Sequence, residues 1–374
     1  MITSFELTLA TEGISKGKTI GGSVYHALCE VMAMNKSEAD RMKASESLFK
    51  YCSDGVSTNS EKLLTTIFLK ALNRRMQSDV ICENIYQSMA GVSQIELFDI
   101  LIDQFPFVKY SQQLVNEAII ADMQNQEVVT LIDIGIGLGT QMMHVIEKAK
   151  ALPSLKKLII VGLEPFADAL SMAEKNITEI NSSVPFEIQF VPVLDYAERF
   201  DFTSLTCIEG AVIINASLAL HHIRTLEERK ATLENLRLIN PVSLYMIEPN
   251  VDHFEPEFFP RFKNSWNHFY CLFRVIDLLN ITQDQKNGLK LFFGREIEDI
   301  IGKSEEDRFE KHMLATEWMK LLRACRFEPN DKMLSNPFTA RPGVDIATHA
   351  EGYIGFTYDH ETALALIQAV PFQQ

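Results

Sequence analysis

Residues 128–141 read Val-Val-Thr-Leu-Ile-Asp-Ile-Gly-Ile-Gly-Leu-Gly-Thr-Gln: a short apolar run reaches Asp133, and glycines follow at 135, 137 and 139. Met142, Met143, Val145, Ile146 and Ala149 then recur at helical spacing. A strand, a glycine turn and a helix in that order are what a parallel α/β sheet uses where its backbone must touch a ligand at the carboxyl end of the first strand. Glycine suits the turn because it has no Cβ to obstruct the approach.

The spacing narrows the ligand. The dinucleotide fingerprint Gly-x-Gly-x-x-Gly would put glycine at position 140, where this chain has Thr140. A phosphate-binding P-loop would need a lysine, and none stands between Ile132 and His144. Asp133-x-Gly135-x-Gly137-x-Gly139 instead resembles the first motif of class I S-adenosylmethionine (SAM)-dependent methyltransferases. That resemblance implies SAM as cofactor, held by Asp133, Gly135, Gly137, Gly139 and Gln141. The alternative is a glycine-rich strand-to-helix turn with no ligand.

Composition bounds the remaining choices. With 374 residues and 47% hydrophobic content, the chain is long enough for one large domain and an accessory one. A net charge of -15, with basic residues only in pairs such as Arg74-Arg75 and Lys156-Lys157, opposes tracking along a nucleic acid backbone. No stretch approaches the roughly 20 apolar residues of a membrane span. Glu6 precedes any basic residue, so no secretory leader is expected. Cys29, Cys52, Cys82, Cys207, Cys271 and Cys325 form no Cys-x-x-Cys pair, which points to core thiols in a reducing cytoplasm and to no metal site.

Before residue 127 the texture is helical, as in Glu61 to Met76, where Leu63, Leu64, Ile67, Phe68, Ala71 and Leu72 share a face. From 127 to about 250, apolar runs at 128–132, 157–163, 186–193, 211–216 and 242–248 alternate with helices, the signature of a parallel sheet. Segments 352–358 and 363–370 are expected to pair as a closing antiparallel hairpin. The predicted fold is therefore α/β: a Rossmann-like class I methyltransferase sheet plus a helical cap. Residues 1–126 form the cap region and 127–374 the core, with a helical cap insertion at about 251–290. Phe258, Phe259, Phe262, Trp266, Phe269, Tyr270 and Phe273 in that insertion fit core packing on a helix laid over the sheet's carboxyl edge.

Further candidates lie at the ends of the predicted strands. Glu164 follows the second and can accept hydrogen bonds from ribose hydroxyls, although a solvated loop acid would look the same. Asp195 and Tyr196 follow the third, where an adenine amine and ring could be held. After the fourth, Ile213 to Ile223 includes Asn215 and resembles the Leu-His-His stretch of many small-molecule methyltransferases. One of His221 and His222 lines the active site while the other caps or packs, or both are structural. On a helix adjacent histidines diverge by about 100 degrees, so they are not expected to share a metal. The fifth strand ends in Glu248, followed by Asn250, Asp252 and His253. Glu248 is a candidate general base, with Arg261 or Arg295 as counter-charge, or else part of a structural ion pair.

Taken in order, these segments resemble the GRAS family, best known as plant regulatory proteins with a methyltransferase-like fold. Phe107 to Ile119 is similar to the helix before that family's VHIID motif, and Leu131-Ile-Asp133 with Gly139-Thr-Gln141 is similar to the motif itself. The PFYRE pattern is matched by Pro241, Phe269-Tyr270 and Arg295-Glu296-Ile297, with Arg261-Phe262 in the Arg-Phe position. Arg308, after Glu305-Glu306, and Trp318 are also in register. Unlike typical plant members, this chain keeps Gly135 and Gly137 beside Gly139, lacks a Ser-Ala-Trp ending and has no long regulatory extension ahead of its helical region.

The resemblance implies a compact, bacterial-type GRAS protein acting as a SAM-dependent methyltransferase on a small molecule, in the cytoplasm. Helices from 1–126 and 251–290 would form a lid. Asp133, Gly135, Gly137, Gly139, Gln141, Glu164, Asp195, Tyr196 and Asn215 would hold the cofactor. Glu248 and His221 would be catalytic, and His222, Asn250, His253, Arg261, Tyr270 and Arg295 would line the substrate side. The alternative is a non-catalytic GRAS-type regulatory or ligand-binding protein. The helical first third either covers the site or makes a homodimer.

Overall fold

The computed structural model describes residues 25–29, 37–75, 92, 94–181, 183–330 and 343–372. Parts of the expected helical first third, with Met76 and Cys82, lie outside the described residues. The chain divides into two compact units. One combines residues up to Leu101 with Pro256–Arg308; the other combines Ile102–Glu255 with Phe309–Gln374. Residues 102–126 thus belong to the sheet unit rather than to a cap, and the helical insertion runs over 256–308 rather than 251–290.

The sheet unit is built on nine strands among the described residues, in the order β3-β2-β1-β4-β5-β9-β8-β7, with β6 beside β9. Strands β1 (Val128–Ile134), β2 (Lys157–Leu163), β3 (Glu187–Val193), β4 (Ala211–Ser217) and β5 (Ser243–Pro249) run parallel. β1 and β2 are buried over nearly their whole lengths, which is why both read as unbroken apolar runs instead of alternating ones. β3 is only partly buried and tolerates Pro192 because it is an edge strand with a side that needs no ladder donor.

β9 (Glu361–Pro371) pairs antiparallel with both β5 and β8 (Ile354–Tyr358), so the expected hairpin is present. Two short strands were not legible in the sequence: β6 (Phe327–Pro329) and β7 (Asp345–Thr348). Each is too short to show a period.

Helices α4 (Pro106–Met123), α5 (Thr140–Ala149), α6 (Ala167–Asn181), α7 (Leu226–Leu238) and α10 (Ala315–Ala324) complete this unit, numbered along the chain after three that precede them. α4 is tied to β5 through Asp122, whose Oδ2 accepts from the Ser243 hydroxyl at 2.5 Å and the Tyr245 hydroxyl at 2.6 Å. Trp318 and Met319 of α10 join the core beneath β4 and β5 with Leu244, Met246 and Ile367.

The helical unit contains α1 (Glu38–Ser53), α2 (Ser60–Arg75), α8 (Phe258–Asp277) and α9 (Gln283–Gly302); α3 (Gln94–Asp103) crosses the boundary between the units. The aromatic stripe of α8 is core, as its spacing suggests: the Phe68 ring meets both Phe262 and Trp266 at 5.2 Å between centroids. No described helix is long and apolar enough to cross a membrane.

Candidate functional site

The sheet order reverses at β1 and β4, and a crevice at the carboxyl ends of such strands is where open α/β sheets bind ligands. Asp133 and Asn215 are register partners on those two strands. The Asn215 amide donates to Asp133 Oδ1 at 2.7 Å and reaches Gln141 Oε1 at 3.3 Å, while Gln141 Nε2 donates to Asn116 Oδ1 on α4 at 3.0 Å. A chain of polar side chains therefore fixes the loop's two ends. Asn116 lies within the Phe107–Ile119 stretch, and its role shows only when α4 is placed beside α5.

Between those ends all three glycines have positive φ: 73, 55 and 77 degrees at Gly135, Gly137 and Gly139. Two of them bear on the site for different reasons. A Cβ at Gly135 would come within 2.7 Å of the Ala219 Cβ, so glycine there lets the exit of β4 pack against the loop. A Cβ at Gly137 would meet no described residue beyond its two chain neighbours within 4 Å, which leaves the backbone facing open space among the described residues.

Glu164, at the end of β2, spans the loop. One oxygen accepts from the Gly137 N–H at 3.1 Å and the other from the Phe166 N–H at 3.2 Å. A carboxylate has roughly four acceptor positions, so two stay available for hydroxyl donors. Burial raises the pKa of Glu164, against the lowering effect of these two N–H groups.

Asp133 is fully inside, and burial pushes its pKa up to about 7; the Asn215 bond opposes the rise and the charge of Glu164 adds to it. Folding thus makes Asp133 hold its proton more tightly than an unfolded chain would. Its unfavourable contribution is absent below the ordinary value of 3.8, grows as pH rises, and is complete above about 7. At about 1.4 kcal/mol per pH unit the limit is ~4 kcal/mol. Asp133→Asn is accordingly expected to be more resistant to denaturant than the native chain at pH 8, with the advantage gone near pH 4. Chemical unfolding at both pH values checks this, and an advantage independent of pH would contradict it.

Asp195 and Tyr196 follow β3 at the surface. The Asp195 carboxylate accepts from the Tyr196 N–H at 2.8 Å, and the Tyr196 ring, 43% exposed, lies under the Arg199 guanidinium.

On the other side of Asn215 the chain turns sharply. Leu218 adopts φ 57 and donates its N–H to the Ile247 carbonyl at 2.7 Å, and Leu220–His222 forms a single 3-10 turn. Glu248, 1% exposed at the end of β5, accepts from the Leu220 N–H at 2.8 Å and meets His221 Nδ1 at 2.7 Å. Burial, reinforced by the neighbouring His222, lowers the pKa of His221 to about 4, so the ring is neutral at neutral pH. Burial works against ionisation of Glu248 too, but the hydrogen bonds from His221 and the Leu220 N–H and the charge of Arg229 outweigh it, and its pKa is lowered.

Two expectations are corrected here. The counter-charge for Glu248 comes from within the sheet unit, from Arg229, with neutral His221 contributing a hydrogen bond, and not from Arg261 or Arg295. The adjacent histidines do not diverge as on an α-helix: their ring centroids are 4.0 Å apart, because the 3-10 turn and the side-chain rotations carry both rings toward Glu310.

Arg229 on α7 supports this turn from behind. Its guanidinium donates to the carbonyls of Ile223 at 2.9 Å and of His221 and Lys311, both at 2.7 Å, between the rings of Phe254 and Trp318. Burial lowers its pKa to about 10, which leaves it charged, with Glu248 and Glu310 acting in the opposite direction.

The remaining candidates have other surroundings. The Asn250 amide donates to the Thr362 carbonyl at 3.0 Å and accepts from the Ala315 N–H at 2.8 Å, capping α10 in place of Leu314. His253 is buried with its Nδ1 3.1 Å from His312 Nδ1. Arg261, Tyr270 and Arg295 belong to the helical unit. Arg261 donates to the Pro256 carbonyl at 3.2 Å, Tyr270 donates to Glu61 at 3.0 Å, and Arg295 is exposed.

The model of the GRAS domain family matches residues 25–343. Scarecrow-like transcription factor PAT1 of Arabidopsis thaliana is 25% identical over 319 residues, 78% of this chain and 64% of that protein. Scarecrow-like protein 1 of the same plant is 23% identical over 253 residues, 63% of this chain and 42% of that protein. This chain therefore spans less than two thirds of either relative's length. The crystal structure of SCL7 from Oryza sativa superposes with a TM-score of 0.73 at 18% identity, over 92% of this chain and 99% of that one.

Proposed function

This chain belongs to the GRAS domain family, and from that premise we propose that it is a cytoplasmic, ligand-binding regulatory member whose 133–141 loop takes SAM or its demethylated product. The carrying observation is Gly137: positive φ, no described neighbour in the direction a side chain would take, and its N–H on a carboxylate that retains acceptor positions. In this reading the ribose hydroxyls fall to Glu164, and Asp133 and Gln141 serve the charged end of the ligand. The regulatory part follows the relatives, one of which is a transcription factor by name. The net charge of -15 favours regulation through a bound small molecule over direct contact with nucleic acid.

A second reading, methyl transfer to a small acceptor, is favoured by the buried His221–Glu248 pair. SAM would supply an activated methyl group. The chain's part would be to align the acceptor and exclude water, with neutral His221 taking a proton at Nε2 while Glu248 fixes Nδ1–H.

Both readings share a test that uses the raised pKa of Asp133. A cationic ligand favours the ionised acid, so SAM binding should release a proton below pH 7 and tighten several-fold between pH 6 and pH 8. Titrations in buffers of different ionisation enthalpy measure that proton directly. Affinity that stays flat across this range, with no proton released, would remove Asp133 from the site. Turnover of added acceptors then separates the enzyme from the regulator.

A further inference from the structure

The elements flanking β4 and β5 place a second group of donors together. His221 Nε2, His222 Nδ1 and the Glu310 carboxylate all lie within 4.8 Å of one another. Glu310 Oε1 is 3.5 Å from His222 Nδ1, and Oε2 is 3.8 Å from His221 Nε2 and 3.4 Å from His312 Nε2. In a tetrahedral zinc site with ligands at about 2.0–2.1 Å, neighbouring donor atoms are about 3.3 Å apart. The Glu310 oxygens are near that spacing from the histidine nitrogens, and the three donors, all within 4.8 Å of one another, would draw together around an ion.

We propose that His221, His222 and Glu310 form a binding site for a divalent transition-metal ion of the zinc type, with a fourth position open to solvent and His312 supporting Glu310 at 3.4 Å. Two imidazoles and one carboxylate with an open fourth position make a donor set suited to zinc, and less so to magnesium or calcium, which prefer oxygen. The site also has the outer support that such sites need. Glu248 takes the proton-bearing Nδ1 of His221 at 2.7 Å, so that Nε2 presents its lone pair inward, the carboxylate–histidine–metal arrangement. His253 stands behind His312, with their rings 4.8 Å apart and the His253 N–H on the His312 carbonyl at 3.0 Å. Arg229 holds the two ligand-bearing segments together through the carbonyls of His221 and Lys311.

Entry is open, because the His222 side chain is 58% exposed while His221 and His312 are buried. The two carboxylates Glu248 and Glu310 offset the charge of Arg229 next to an incoming cation. With the ion in place, His221 Nε2 is a ligand and not a base, so the site stands independently of whether the glycine loop takes SAM.

Co2+ titrated into the intact chain after dialysis against chelator is the test. The expected result is one equivalent bound, with the intense visible absorption of four-coordinate cobalt, and displacement by Zn2+. Glu310→Gln should weaken binding at least tenfold, with folding followed by circular dichroism. His222→Gln, at an exposed side chain, should weaken it similarly and keeps the test decisive if the first variant does not fold. Weak six-coordinate bands, sub-stoichiometric binding, or native affinity in His222→Gln would overturn the proposal.

Discussion

Gly137→Val is expected to lower the affinity for SAM at least a hundredfold in a chain that still folds. A hundredfold corresponds to about 2.7 kcal/mol of binding free energy. The backbone at this position has φ 55, where a branched residue costs roughly 1–2 kcal/mol of strain or somewhat more. That is a fraction of the usual 5–15 kcal/mol of folding stability. Among the described residues, no atom outside the two adjacent residues lies within 4 Å of the place a Cβ would take, so the valine methyls meet none of them near their point of attachment. They enter the space assigned to the ligand. Calorimetry reads the affinity and denaturant unfolding reads the stability. Native affinity in this variant would remove the loop from the binding site.

The largest loss of stability is expected for Arg229→Ala, at about 4 kcal/mol or more. The side chain is 1% exposed, and its removal leaves the carbonyls of His221, Ile223 and Lys311 without their guanidinium donors. Each buried polar group deprived of its partner costs about 1–3 kcal/mol. The vacated volume between Phe254 and Trp318 adds a cavity cost. Arg229→Lys should recover little, because an ammonium cannot reproduce the planar fork that reaches three carbonyls from between two rings. Urea unfolding measures both variants. A loss below about 1 kcal/mol in Arg229→Ala would show that the turn after β4 is held by other contacts.

The parts of this molecule that were legible in its sequence are those set by local patterns. Val128–Ile134 and Lys157–Leu163 are buried along nearly their whole lengths, so their apolar runs announced central strands. The glycines at 135, 137 and 139 announced a turn between strand and helix, which the structure has, and all three adopt positive φ. The positions of Glu164, Asn215 and Glu248 at the ends of their strands were legible because a strand's carboxyl end can be located from the strand alone.

Convergence across long sequence distances was not legible. Glu310 and His312 lie on the irregular segment that re-enters the sheet unit at Phe309, far along the chain from His221, and no periodicity links them. Arg229 sits in Leu226–Leu238, whose many charged residues suggest a solvated helix, yet it is the buried support of the turn. Glu248 was therefore given the wrong counter-charge. The His221-His222 geometry was misjudged for a different reason: a three-residue 3-10 turn leaves no trace in a hydrophobic pattern.

Calorimetric titration of this chain with SAM, and separately with its demethylated product, tests the central claim most directly. One saturable site per chain in the micromolar to submillimolar range, lost in Gly137→Val, is the predicted result. No heat from either compound up to millimolar concentration, in a chain shown by its unfolding transition to be native, would contradict the account of the 133–141 loop.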